Sequence, residues 1–196
     1  MLAELLTVLF SYLIGCFNTA YYLTKLRTGI DIRAVGSGNA GSRNAGRVMG
    51  AGGFLLSLTG DVGKGMAAVS IASHLNPEPL VAYSAMLAVV VGHIWPLQLG
   101  FRGGKGFAAL VGAMIILAPF LFMTSLLLGI VIYILLRRTT IAGLLALAFS
   151  PFVMLGERMY RGFCLISPES VLYCAVIIVV LYAHRTNIRD YVQHKK

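Results

Sequence analysis

Between residues 2 and 184 the sequence is a succession of apolar runs, interrupted only by short segments of Gly, Pro and charge. About 20 apolar residues suffice to carry a helix across a bilayer. Seven runs can be bounded by charges, Gly and Pro, at roughly 2–26, 51–75, 79–98, 105–117, 119–137, 141–156 and 169–184. The fourth and sixth are short for a full crossing, and Pro119 divides the run from Phe107 to Leu136 into a predicted hairpin of two helices. Merging or excluding the short runs would leave five spans. A water-soluble globule is excluded: 58% of the residues are apolar and 12% charged, against about 25% charged in a soluble domain. The mean hydropathy is +0.84. The expected fold is an all-α polytopic membrane protein with seven transmembrane helices, forming one integral membrane domain over residues 1–196. The first run holds Ser11, Tyr12, Asn18 and Thr19 and ends without a small-residue cleavage site, so a retained helix is expected there instead of a signal peptide.

The charges orient these helices. Sixteen Lys and Arg against seven Asp and Glu give a formal charge of +9, which in a soluble protein would suggest a nucleic-acid partner. Here seven spans place thirteen of the sixteen on one side: Lys25, Arg27, Arg33, Arg43, Arg47, Arg102, Lys105, Arg137, Arg138, Arg185, Arg189, Lys195 and Lys196. Arg158 and Arg161 fall on the other side, and Lys64 lies within the second span. Cationic loops stay on the cytoplasmic side, so the N-terminus is expected outside and the C-terminus in the cytoplasm, with no nucleic-acid partner. Cys16, Cys164 and Cys174 show no metal-ligand spacing. Cys16 and Cys174 are expected to be packed, and Cys164 to lie in an outer loop.

Four polar stretches fall on or near the same side. Gly36-Ser37-Gly38-Asn39-Ala40-Gly41 matches a dinucleotide fingerprint formally, but no strand precedes it. Its glycines can still gather backbone N–H groups into an anion nest, with a helix starting near 44–50 to point its positive end there. Ser37, Asn39, Asn44 and Arg47 would add donors; the plainer reading is a flexible loop on the membrane surface. The second stretch, Gly92-His93-Ile94-Trp95-Pro96 to Phe101-Arg102-Gly103-Gly104-Lys105-Gly106, lacks the first Gly and the hydroxyl of a Walker motif. It again puts glycines beside a cation able to neutralise phosphate. His93 fits either a satisfied interior histidine or a site residue. Asp61 and Lys64 share a helix face at i, i+3, as a functional pair or a structural one. His184-Arg185-Thr186-Asn187-Ile188-Arg189 closes the last span, where such a cluster also serves as a membrane anchor.

Taken together, GSGNAGSRN with a following Arg, D-x-x-K-G, GHxxP with FRGGKG, and HRTN resemble the bacterial membrane glycerol-3-phosphate acyltransferases of the PlsY type, which use acyl phosphate as donor. Order, spacing and the seven-span plan agree along essentially the whole chain. The resemblance implies transfer of a fatty acyl group to the sn-1 hydroxyl of glycerol 3-phosphate, giving lysophosphatidic acid and phosphate. It implies a multi-pass protein of the bacterial inner membrane with its active site facing the cytoplasm. Its partners would be acyl phosphate, glycerol 3-phosphate, membrane lipid and the upstream phosphate acyltransferase that makes acyl phosphate. The resemblance points to Ser37, Lys105 and His184 as catalytic. It places Gly38, Asn39, Arg47 and Asn187 among the substrate-binding residues, to which the reading of the glycine-rich stretches adds Gly36, Asn44, His93, Gly103 and Gly104.

No HxxxxD dyad is present, so direct attack of the acceptor hydroxyl on acyl phosphate is expected, without an acyl-enzyme. Its proton would pass to a substrate phosphate or His184, while Lys105 and loop N–H groups stabilise the oxyanion. This scheme requires no cofactor or metal. The sequence departs from the family pattern at Ala40, at Ser42-Arg43, at Phe107-Ala108-Ala109 and at the pair Thr140 and Gly143. Arg43 adds a cation beside the first loop, while Ala109 and Gly143 lack a hydroxyl. A divergent paralogue with another phosphorylated acceptor is the alternative within the family. Outside it stands a small transporter of anionic metabolites, against which count the absence of an inverted repeat and the one-sided polar groups.

Overall fold

A computed structural model describes residues 1–193; Lys195 and Lys196, assigned above to the basic side, lie outside them. All regular structure among the described residues is helical, and the chain forms two compact units, Met1–Leu117 and Ala118–Lys196.

In the first unit, α1 (Leu2–Cys16) and α2 (Thr19–Thr28) replace the single helix expected over the first run. Phe17 is extended, and the Asn18 side chain accepts the Tyr21 N–H at 3.0 Å, restarting the helix as an N-cap. The long helix α3 (Ser42–Leu75) starts earlier than expected and is kinked at Gly50, whose φ of 72° lies outside what other residues adopt readily. Then come α4 (Pro79–Ile94), a 3-10 turn at Leu97–Leu99 and α5 (Phe107–Leu117). Two glycine seams join these helices. Gly15 of α1 lies on the Val89 carbonyl of α4, and Gly92 of α4 lies on the Tyr12 carbonyl of α1. In the same way Gly65 of α3 meets the Ala109 carbonyl of α5, and Gly112 of α5 meets the Val62 carbonyl of α3. A Cβ at any of the four would overlap backbone, so helices come this close only where the side chain is missing.

The second unit holds α6 (Pro119–Leu136), α7 (Thr139–Tyr160), α8 (Pro168–Ala183) and α9 (Arg185–Gln193), with α9 bent 54° from α8. Pro151 inside α7 has no N–H for the Leu147 carbonyl; the Ser150 hydroxyl donates to that carbonyl at 2.7 Å instead. The buried Tyr173 hydroxyl of α8 donates to Ser150 Oγ at 2.8 Å, so the proline defect also ties α7 to α8.

Each of the seven runs read from the sequence corresponds to a helix or a broken helix. Five are long and apolar enough to cross a membrane among the described residues: Leu2–Thr28, Ser42–Leu75, Pro79–Leu99, Pro119–Leu136 and Thr139–Tyr160. Counted together as one broken span, the bent pair α8 and α9 would make a sixth. The sixth run, read as short, is a 22-residue helix, whereas α5 has 11 residues and stays short. Cys16 is buried, Cys174 half-buried and Cys164 exposed in the segment after α7.

Candidate active site

The break between α1 and α2 leaves the carbonyls of Gly15 and Phe17 without helical partners. Lys64, on α3 and buried, supplies them: its Nζ donates to Gly15 O at 3.1 Å and to Phe17 O at 2.7 Å. A cation at a helix C-terminus also complements the helix dipole. The third Nζ direction meets His93 Nδ1 at 2.7 Å. Asp61, one turn earlier on α3, stands 3.1 Å from Nζ as the counter-ion and 3.6 Å from His93 Nδ1. Three buried polar side chains thus share one point.

His93 in turn supports the second glycine-rich stretch. The Gly103 N–H donates to Ile94 O and the Gly104 N–H to His93 O, both at 3.0 Å, so these two amides cap the end of α4. Their hydrogens are thereby used within the protein, so the amides are not the phosphate donors expected from the sequence. A Cβ on Gly103 would overlap the His93 carbonyl. One on Gly104 would overlap His93 Nε2 and stand 2.9 Å from Ala40 O. Lys105 follows directly, half-buried, just before α5.

The first glycine-rich stretch is held from beneath by Asn44, which is 1% exposed. Its Nδ2 donates to Ile32 O at 3.0 Å and Val35 O at 2.9 Å, and its Oδ1 accepts the Ser37 N–H at 3.0 Å. Both donors of this amide group are used within the loop, so Asn44 shapes the loop instead of donating to a ligand. Gly36 and Gly38 take φ of 61° and 68°. Gly36, Ser37, Gly38 and Arg47 are exposed, and Asn39 is half-buried. At its start the loop is tied to the second stretch: Arg33 Nη1 donates to Leu99 O at 2.6 Å and lies over the Tyr21 ring. Its Nη2 pairs with Asp31 at 2.8 Å. That hydrogen-bonded pair holds the Asp31 carboxyl below its ordinary pKa and raises that of Arg33.

Ten of the twelve residues selected from the sequence lie in the first unit. Of these, Gly36, Ser37, Gly38, Asn39 and Asn44 share one loop assembly, and His93, Gly103, Gly104 and Lys105 share another, with Ala40 touching both. Arg47 lies one turn after Asn44 on α3. His184 and Asn187 lie in the second unit, where His184 is buried at the α8–α9 junction and Asn187 is half-buried on α9. His184 Nδ1 donates to Val180 O at 2.8 Å, which makes Nε2 the basic nitrogen of the neutral ring. The residues missed as site members are Lys64 and Asp61. Their i, i+3 spacing was visible, but nothing local in the sequence linked them to His93.

Residues 5–194 match the family model described as glycerol-3-phosphate acyltransferase. The chain belongs to this family. It is 40% identical to glycerol-3-phosphate acyltransferase 1 of Desulfitobacterium hafniense, over 95% of this chain and 90% of that one. It is 37% identical to glycerol-3-phosphate acyltransferase 1 of Bacillus cereus, over 93% and 97% of the two chains. Among solved structures it is similar to PlsY, an integral membrane glycerol 3-phosphate acyltransferase. The glycerol 3-phosphate form of PlsY superposes with a TM-score of 0.86 at 28% identity, covering 98% of this chain and 94% of that one. The lysophosphatidic acid form gives 0.83 at 27% identity, covering 98% and 93%. Membership in this acyltransferase family sets the transporter reading aside.

Proposed function

We propose that this chain transfers a fatty acyl group from acyl phosphate to the sn-1 hydroxyl of glycerol 3-phosphate, releasing lysophosphatidic acid and phosphate. The observation that carries the reading is the pair of glycine-rich segments, 36–41 and 103–106, packed together at Gly104 and Ala40 in a family named for acyl transfer to glycerol 3-phosphate. Both reactants are phosphorylated, which suits the cations Arg47 and Lys105 beside those segments. The acyl chain is apolar, which suits a site built on membrane helices.

On this reading the acceptor hydroxyl attacks the acyl carbon, the carbon–phosphate oxygen bond breaks, and inorganic phosphate leaves. Lys105 neutralises the developing negative charge and Ser37 orients the acyl phosphate from its exposed loop. The hydroxyl proton passes to a substrate phosphate or to His184 Nε2. Gly36, Gly38, Asn39, Arg47 and Asn187 bind the phosphates, while Asn44, His93, Gly103 and Gly104 hold the loops in shape. Orientation of two anions and charge neutralisation then supply most of the rate. The concentration of cationic residues in alternate loops supports seven crossings, an outside N-terminus and a site opening to the cytoplasm of a bacterial inner membrane. An enzyme that makes acyl phosphate would supply the donor.

The test is phosphate release by the purified protein in lipid, given palmitoyl phosphate and glycerol 3-phosphate. Release should require both substrates and fall at least about 100-fold in Lys105→Ala, the scale of losing one electrostatic stabiliser. A folded protein that binds acyl phosphate yet releases nothing would refute glycerol 3-phosphate as the acceptor.

A further inference from the structure

The Asp61–Lys64–His93 cluster lies behind the two glycine-rich loops, and the acyl-transfer scheme above gives Lys64 no part. Its hydrogen bonds can be accounted for completely. An ammonium has three donors and no acceptor. Lys64 directs them at Gly15 O, Phe17 O and His93 Nδ1. Among the described residues, Asp61 Oδ1 takes no hydrogen bond and serves as the counter-charge. An N–H on His93 Nδ1 would face an ammonium donor 2.7 Å away, so Nδ1 must be the acceptor. The ring proton is then on Nε2. That nitrogen lies against Gly104, in the space that the Ala40 carbonyl also lines.

We propose that Lys64 is a positioning residue: it fixes His93 as the Nε2–H tautomer, which presents that N–H beside Gly104 and Ala40 and so holds the Lys105 and Ser37 segments in one geometry. Three features support this assignment. His93 is 3% exposed and so is shielded from exchanging its partners with water. Gly104 has no side chain to separate the ring from the loop. Lys64 is itself anchored by two backbone carbonyls of the α1–α2 break, so its reach toward His93 is fixed from the far side. The catalytic consequence rests on the acyl-transfer reading above; the tautomer does not.

The experiment combines a spectrum with kinetics. Protein carrying 15N-histidine is reconstituted in lipid, and the His93 signals are assigned by elimination with His74→Gln, His184→Gln and His194→Gln. The unmodified protein should show an unprotonated Nδ1 and a protonated Nε2 at His93, whatever its turnover. The double variant Asp61→Asn/Lys64→Met leaves no unpaired buried charge. It should lose this single tautomer and lower kcat about 100-fold, the cost of a small misplacement of reacting groups, with a much smaller change in KM. A proton on Nδ1 of the unmodified protein overturns the proposal, and that spectrum decides even if the double variant does not fold. A folded double variant that loses the tautomer and keeps kcat also overturns it, as does one that keeps the tautomer. Absence of phosphate release by the unmodified protein refutes the acyl transfer instead, and the spectrum still tests the tautomer.

Discussion

Replacing Asn44 separates a loop-shaping residue from a substrate-binding one. Asn44→Ala removes three hydrogen bonds, to Ile32 O, to Val35 O and from the Ser37 N–H. Each such bond contributes about 1 kcal/mol net, so the loop around Ser37 should lose about 3 kcal/mol of local stability. Tenfold in an equilibrium is about 1.4 kcal/mol, which makes the opening of this loop about 100-fold more frequent. Amide hydrogen exchange at Ser37 reads that opening directly. Asn44→Asp sharpens the test. It has nearly the same shape and keeps an acceptor for Ser37, but it sets a carboxylate oxygen against two carbonyls. It should therefore exchange at least as fast as the alanine variant. Phosphate release should fall in both. Ser37 exchange rising less than about threefold, or an aspartate variant behaving like the unmodified protein, would refute the loop-shaping account.

Two further predictions concern the scaffold. Gly65→Ala would push a methyl into the Ala109 carbonyl and should destabilise the first unit by about 3 kcal/mol. Gly63→Ala, with nothing within 4 Å of its new methyl, should be neutral or gain up to about 1 kcal/mol from helix propensity; thermal unfolding in lipid compares the two. Asp31 has a folded pKa below its ordinary 3.8 because Arg33 hydrogen-bonds the carboxylate. Its contribution is therefore present above that value and is lost as the pH falls through the lower folded pKa. Asp31→Asn should remove that contribution and its acid-side loss together, as thermal unfolding across the acid range would reveal.

The apolar runs and the punctuating Gly, Pro and charges marked the helices well, because lipid imposes one length scale on every crossing. They concealed the break at Phe17–Asn18, since Asn18 sits inside an apolar run and acts through its own backbone neighbours. With that break hidden, the two carbonyls that hold Lys64 were hidden too. The glycine-rich loops were recognisable as chemistry-bearing, but their amides were assigned outward. In the structure the Gly103, Gly104 and Ser37 N–H groups are satisfied inward. Composition shows how many donors a loop has, whereas only the fold shows which of them are already used. Asp61 and Lys64 were visible as a pair, and their link to His93 spans 29 residues of sequence between Lys64 and the ring.

The glycine seams also limit how the first unit can move. Where Gly15 meets Val89 and Gly65 meets Ala109, backbone touches backbone, and there are no rotamers to exchange. Interfaces between ordinary side chains can slide by repacking in small steps; a seam without side chains offers no intermediate setting. Any conformational adjustment in this unit must then fall on its loops, on the Gly50 kink, or on the break between α1 and α2. The four helix faces along the seams serve as fixed references against which those few flexible points turn.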